Sequence, residues 1–130
     1  EEAKIKGYVE TIMGRRRPTP DVKSGNFMVR EAAMRQAVNM PFQGSAADIM
    51  KLAMIKIQQA LDALAETGER SEERERARLL LQIHDSVIIE CREQDAVEVA
   101  ALVKDIMENT YPLPIKQTVD TSIGKNWGEL

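Results

Sequence analysis

Apolar residues fall along this chain in two periods, and the switch between them marks its elements. Over residues 26–40, Val29, Ala33, Ala37 and Met40 recur at three- and four-residue steps, with Gln36 beside them, as in an amphipathic helix. Ser24 or Asn26 is placed to cap that helix, and Pro41 is expected to end it. A second helix is predicted over 45–65, burying Ile49, Ala53, Ile57, Ala60, Leu61 and Leu64. Ser45 would be its N-cap, and Asp48, three residues on, would complete an approximate capping box. The period shortens to two in LLLQIHDSVIIEC, residues 79–91. Leu79, Leu81 and Ile83 alternate with their neighbours, as do Val87 and Ile89 beyond the polar break His84-Asp85-Ser86. That pattern predicts a β-hairpin with its tip at the break.

The flanks are less regular. Residues 1–13 allow an amphipathic helix on Ala3, Ile5, Val9 and Ile12, weakened by Gly7, and Gly14 suits a turn. RRRPTPD, residues 15–21, reads as an extended turn segment because Pro18 and Pro20 exclude helix. Residues 67–78 are almost wholly charged, read as a short solvated turn of helix or a mobile loop, and carry no assigned chemistry. A helix is predicted over 94–109, with Val97, Ala100, Ala101, Val103 and Met107 along one side, until Tyr111-Pro112-Leu113-Pro114 stops it. Residues 115–123 alternate well enough for a last strand. The expected class is α+β: long helices packed on a small antiparallel sheet, made of the hairpin plus a C-terminal strand.

Composition narrows the functional classes. At 130 residues the chain fits one domain or part of one. No run approaches the ~20 apolar residues of a membrane span, and no secretory leader opens the sequence, so neither a membrane nor export is expected. The single cysteine, Cys91, excludes an internal disulfide framework and leaves no zinc-binding set. A net charge of −3 argues mildly against a free-standing nucleic-acid binder. The charge is uneven, however: Arg15, Arg16 and Arg17 form a basic knot, while acids gather at Glu1, Glu2 and through 66–75.

Bland and specific readings compete at each polar feature. An aspartate in a turn most often bonds its own backbone. At a hairpin tip, Asp85 and the sole histidine, His84, are instead held outward at the edge of a sheet, which suits a metal ligand or an acid/base group. Three arginines beside a turn are often a solvated patch, yet guanidinium groups also suit phosphates. Arg35 and Asn39, one helical turn apart, and Gln43 beyond Pro41 would ordinarily be a solvated helix face. A His–Asp hydrolase lacks a nucleophile or partner base in this sequence.

Several segments then resemble one family, in order and over nearly the whole chain. LQIHDSVIIE resembles motif C of the family A DNA polymerases, the bacterial DNA polymerase I type, usually QVHDE followed by apolar residues and a Glu. GYVETIMGRRRPTPD is similar to that family's GYVET-x-x-GRRR-x-x-PD. REAAMRQAVNMPFQGSAADIMKLAM is similar to REAAERxAxNxPxQGTAADIxKxAM. A YPL segment and a terminal IGKNW, resembling GxGxxW, follow.

The resemblance implies template-directed transfer of nucleotides from dNTPs to a primer 3′-hydroxyl by two Mg²⁺ ions, with Asp85 as one metal-binding carboxylate. Arg35, Asn39 and Gln43 match positions that touch primer–template DNA near the growing end, where minor-groove donors test pair geometry without reading sequence. His84 is expected to contact primer backbone, and Arg15, Arg16 and Arg17 are candidates for phosphates. Ser86 departs from the family's Glu, which leaves an accessory carboxylate role in doubt. Residues 1–44 would be the end of the fingers and the fingers-to-palm segment, and 45–130 the C-terminal half of the palm. The family's motif A aspartate and nucleotide-gripping helix do not occur here and would precede residue 1. The chain alone is therefore expected not to polymerise, and its partners to be DNA, dNTP and the remainder of a polymerase chain. The expected location is the bacterial cytoplasm, associated with the nucleoid. The alternative is a polymerase-derived DNA-binding module without catalysis.

Overall fold

The computed structural model describes residues 1–66 and 77–130, so most of the charged 67–78 stretch lies outside the described residues. Two compact units divide the chain, Glu1–Ile49 and Met50–Leu130. Helix α1 spans Glu2–Lys6, strands β1 and β2 span Tyr8–Glu10 and Arg16–Pro18, and a 3-10 turn covers Pro20–Lys23. Helix α2 spans Phe27–Glu66, followed by strands β3, Ala77–Ile83, and β4, Ser86–Cys91, and by helix α3, Ala96–Glu108. Each pair of strands forms its own two-stranded antiparallel sheet. The class is α+β, as expected.

In the first unit the predicted helix over 1–13 stops early. Gly7 takes the left-handed conformation, φ 78°, and its N–H bonds Ala3 O, closing α1. The chain then turns into β1, whose residues pair with β2 in the register Tyr8 to Pro18, Val9 to Arg17 and Glu10 to Arg16. Val9, Val22, Ala37 and Met40 form this unit's buried cluster. Asn26 caps α2 as expected, its Oδ1 accepting the N–H of Met28 at 3.0 Å and of Val29 at 3.4 Å.

Pro41 does not end that helix. One helix of 40 residues replaces the two predicted. The missing proline N–H removes one helical bond at a cost of about 3 kcal/mol. Ala37 and Met40 anchor the turn before it, and Ser45 and Asp48, both buried, anchor the turn after. Ser45 is accordingly no N-cap: its Oγ accepts the N–H of Ile12 from the first hairpin at 2.9 Å.

In the second unit, Ile57 and Leu61 of α2 pack with Val99 and Val103 of α3, and Leu64, Ala77, Leu79, Val87, Ile89 and Cys91 border them. The helix over 96–108 matches expectation, but its buried face is Val99 and Val103, whereas Val97 is 76% exposed. Lys56 Nζ donates to Thr110 O at 2.8 Å, past the C-terminal end of α3. The hairpin is close to prediction except for a bulge between Leu79 and Leu81. Leu79 opposes Ile89 but Leu81 opposes Ile88, so the extra residue, Leu80, switches faces and leaves Leu81 exposed. The predicted strand over 115–123 is absent among the described residues. A strand needs a ladder partner, and none pairs with it; Val119 N–H bonds the Glu108 carboxylate at 3.0 Å instead.

Candidate functional site

The tip of the second hairpin is two residues long. Ile83 opposes Ser86, leaving His84 and Asp85 to make the turn. A right-handed strand twist demands positive φ in such a tip, and His84 supplies it at 51°. Gln82 Nε2 donates to His84 O at 2.7 Å, and Ser86 Oγ donates to Ile83 O at 2.9 Å. The Ser86 hydroxyl therefore has its proton engaged across the turn. Asp85 is exposed, and its carboxylate makes no hydrogen bond or ion pair among the described residues. A solvent-facing carboxylate on a short, closed turn is free to take a cation or a donor from outside the chain.

The donor chemistry fits a hard divalent ion, which prefers carboxylate oxygens. No group of three or more His, Cys, Asp or Glu able to hold a metal occurs among the described residues, and Asp85 is a single carboxylate donor. Cys91, at the other end of β4, adds nothing to it. Burial, then the nearby Asp95 charge, pushes its thiol above the usual range and keeps it protonated.

In the first unit, continuation of α2 through Pro41 alters the expected geometry of Gln43. Arg35, Asn39 and Gln43 now stand at successive four-residue steps on one helix, spread over ~12 Å, and all three are exposed without a described partner. Val38 and Phe42 share that face, with Phe42 75% exposed. These two apolar neighbours were missed by sequence reasoning, which expected the helix to end between them.

The three arginines differ in their surroundings. Arg15 Nε lies 2.8 Å from Asp48 Oδ1, and its Nη2 donates to Gly44 O at 3.3 Å. Arg16 pairs with Glu10 at 2.9 Å and stacks 4.5 Å over the Tyr8 ring. Arg17 has no described partner and edges a cleft of about 140 Å³ with Thr19, Pro20 and Gln36. The structure thus groups Arg15, Arg16, Arg17, Arg35, Asn39 and Gln43 in one unit, and His84, Asp85 and Ser86 in the other.

A sequence model of DNA polymerase family A matches residues 1–129. The chain belongs to DNA polymerase family A. It is 47% identical over 129 residues to the thermostable DNA polymerase I of Thermus filiformis, covering 99% of this chain and 14% of that one. It is 47% identical over 121 residues to DNA polymerase I of Deinococcus radiodurans, covering 93% of this chain and 12% of that one. A solved structure described as the POL domain of Pol1 from M. smegmatis in complex with DNA primer-template and dNTP superposes with a TM-score of 0.76. The two are 43% identical, over 88% of this chain and 19% of the other. This family A chain thus spans only a small part of the length of the polymerases it matches.

Proposed function

We propose that this chain is a fingers-to-palm segment of a DNA-directed DNA polymerase, residues 1–44 leading into the palm and 45–130 forming its C-terminal half. In that role it takes part in template-directed nucleotidyl transfer from dNTPs to a primer 3′-hydroxyl. The observation that carries this reading is the bare Asp85 carboxylate at a closed hairpin tip, within a chain of this family. Two divalent ions, Mg²⁺ by the family's chemistry, activate the 3′-hydroxyl and stabilise the leaving pyrophosphate when bound. Asp85 would hold them together with a carboxylate that these 130 residues do not supply. Its rigid mount matters because a ~1 Å misplacement can cost on the order of 10²-fold in rate. His84, beside it, meets the primer backbone.

Arg35, Asn39 and Gln43 present donors in a line to the minor groove, where purine N3 and pyrimidine O2 accept from them at every correct pair. Arg17 is the arginine best placed for a phosphate, while Arg15 and Arg16 keep donors to spare beyond Asp48 and Glu10. With one metal-binding carboxylate and no triphosphate grip, the 130 residues alone do not extend a primer.

Primer extension by the polymerase chain that carries this segment tests the proposal. Asp85→Ala is expected to reduce extension at least about 10²-fold while leaving primer–template binding within a few-fold. Retained extension by that variant would sink the metal role. One observation favours a second reading, a DNA-binding module without catalysis: Ser86 stands where the family carries Glu, and its hydroxyl is turned inward to Ile83. If the unaltered protein binds primer–template but extends it with neither Mg²⁺ nor Mn²⁺, and Ser86→Glu restores nothing, the second reading stands.

A further inference from the structure

We propose that the turn of the first hairpin, residues 11–15, is a positioning device. Through Arg15, Ser45 and Asp48 it holds α2 across its proline and so sets the angle at which Asn39 and Gln43 meet DNA. The proposal rests on the minor-groove reading of that stripe given above.

Pro41 lies between Asn39 and Gln43 and leaves the Ala37 carbonyl without its helical donor. Helices bend at such points, and a bend here would swing one half of the stripe against the other. On the opposite face, just past the proline, the polar contacts among the described residues come from one turn. Ser45 Oγ accepts the N–H of Ile12 at 2.9 Å, Gly44 O accepts from Arg15 at 3.3 Å, and Asp48 grips Arg15 at 2.8 Å. Gly44 permits this approach: a Cβ there would stand 2.8 Å from Thr11 Cγ2.

The turn that grips the helix is itself braced. Thr11 N–H bonds Arg15 O and Gly14 N–H bonds Thr11 O, each at 2.9 Å. Thr11 Oγ1 accepts the N–H groups of Met13 at 3.3 Å and Arg15 at 3.1 Å. Asp48 reaches this turn at a cost, since its Oδ2 is buried with no hydrogen-bond partner. Buried ion pairs add little net stability, because desolvation offsets the attraction. Position, rather than stability, is what this pair supplies.

The test compares extension from matched and mismatched primer ends by the polymerase chain carrying this segment. Gln43→Ala and Arg15→Gln are each expected to lower the matched-to-mismatched ratio about tenfold, part of what a ~1 Å misplacement costs. The double variant should be no worse than the worse single one, because the two act in series. Arg15→Lys should recover part of the ratio, and Ser45→Ala, which removes one hydroxyl and keeps the Asp48 pair, should lower it less. A general loss of folding, or of a phosphate contact, lowers extension from both ends alike and leaves the ratio. If Gln43→Ala lowers the ratio while Arg15→Gln and Ser45→Ala leave it, the positioning role is overturned and the minor-groove reading survives. If Gln43→Ala itself leaves the ratio, both fall together.

Discussion

The two hairpins of this chain solve opposite problems with the same motif. The first, β1–β2, ties its turn down: Thr11 is buried while residues 12–15 stay exposed, and backbone and side-chain polar bonds fasten the turn to α2. The second, β3–β4, exposes its tip and is fastened along its strands, where Ala77, Leu79, Val87, Ile89 and Cys91 border the Ile57 cluster. The bonds at that tip, from Gln82 and Ser86, stay within the hairpin, so its fastening to the rest of the unit comes from apolar packing along the strands. A turn that serves as a brace needs directional bonds at the turn itself.

If that division holds, the largest effect should come from the apolar cluster against which the second hairpin packs. Ile57 is fully buried at the centre of the cluster. Ile57→Ala is expected to cost about 2–5 kcal/mol, a large part of a small domain's stability. Denaturant unfolding measures this directly. A cost below about 1 kcal/mol would mean that apolar packing is not what holds the exposed tip.

A smaller and asymmetric effect is expected at the brace. Arg15→Ala strands the Asp48 carboxylate, 9% exposed, without its partner. Asp48→Ala frees an arginine side chain that is already 50% exposed and can turn to water. The first should cost about 1–3 kcal/mol and the second less, because only the first leaves a buried charge unpaired. Equal costs in thermal unfolding would show that the pair behaves as an ordinary surface bridge.

The same contrast explains what was legible in the sequence. The second hairpin announces itself through alternation, a signal carried by adjacent residues, and its tip was readable at the His84-Asp85-Ser86 break, of which Ser86 proves to open β4. Only the bulge at Leu80 escaped, since LLL gives no sign of which leucine is extra. The first hairpin was read as the end of a helix followed by a turn, because its strands are three residues each and its bonds go to residues about 30 positions away. Ser45 and Asp48 looked like a capping box because their true partners, Ile12 and Arg15, are remote. Pro41 looked like a terminus for the same reason: the anchors that carry α2 past it are tertiary. The C-terminal alternation at 115–123 failed in the opposite sense, offering a strand pattern for which the described residues hold no partner. Of the candidate site, Asp85 and the polar stripe were readable from motif resemblance, whereas the single unbroken helix beneath Arg35, Asn39 and Gln43 was not.

The finest test of the comparison uses the one backbone conformation that the two turns share. Gly14 in the first has φ 81° and His84 in the second has φ 51°. For a residue with a Cβ, that region costs roughly 1–2 kcal/mol. Gly14→Ala should therefore destabilise by about 0–1.6 kcal/mol net, the strain less the entropy that alanine removes from the unfolded chain, although no atom stands within 4 Å of the added carbon. His84→Gly should relieve the strain. The gain is offset by the larger entropy of a glycine in the unfolded chain, about 0.4–1 kcal/mol, so the net should be a stabilisation of roughly 0–1.6 kcal/mol. The Gln82 bond to the His84 carbonyl involves backbone and survives the change. Primer extension should nonetheless fall if the imidazole meets the primer as proposed. Higher stability with lower activity would show that the tip carries a strained histidine for chemistry, where the braced turn uses glycine for shape. Lower stability from His84→Gly would instead mean that the imidazole itself helps to hold the tip closed, and the division between the two hairpins would lose its sharpest edge.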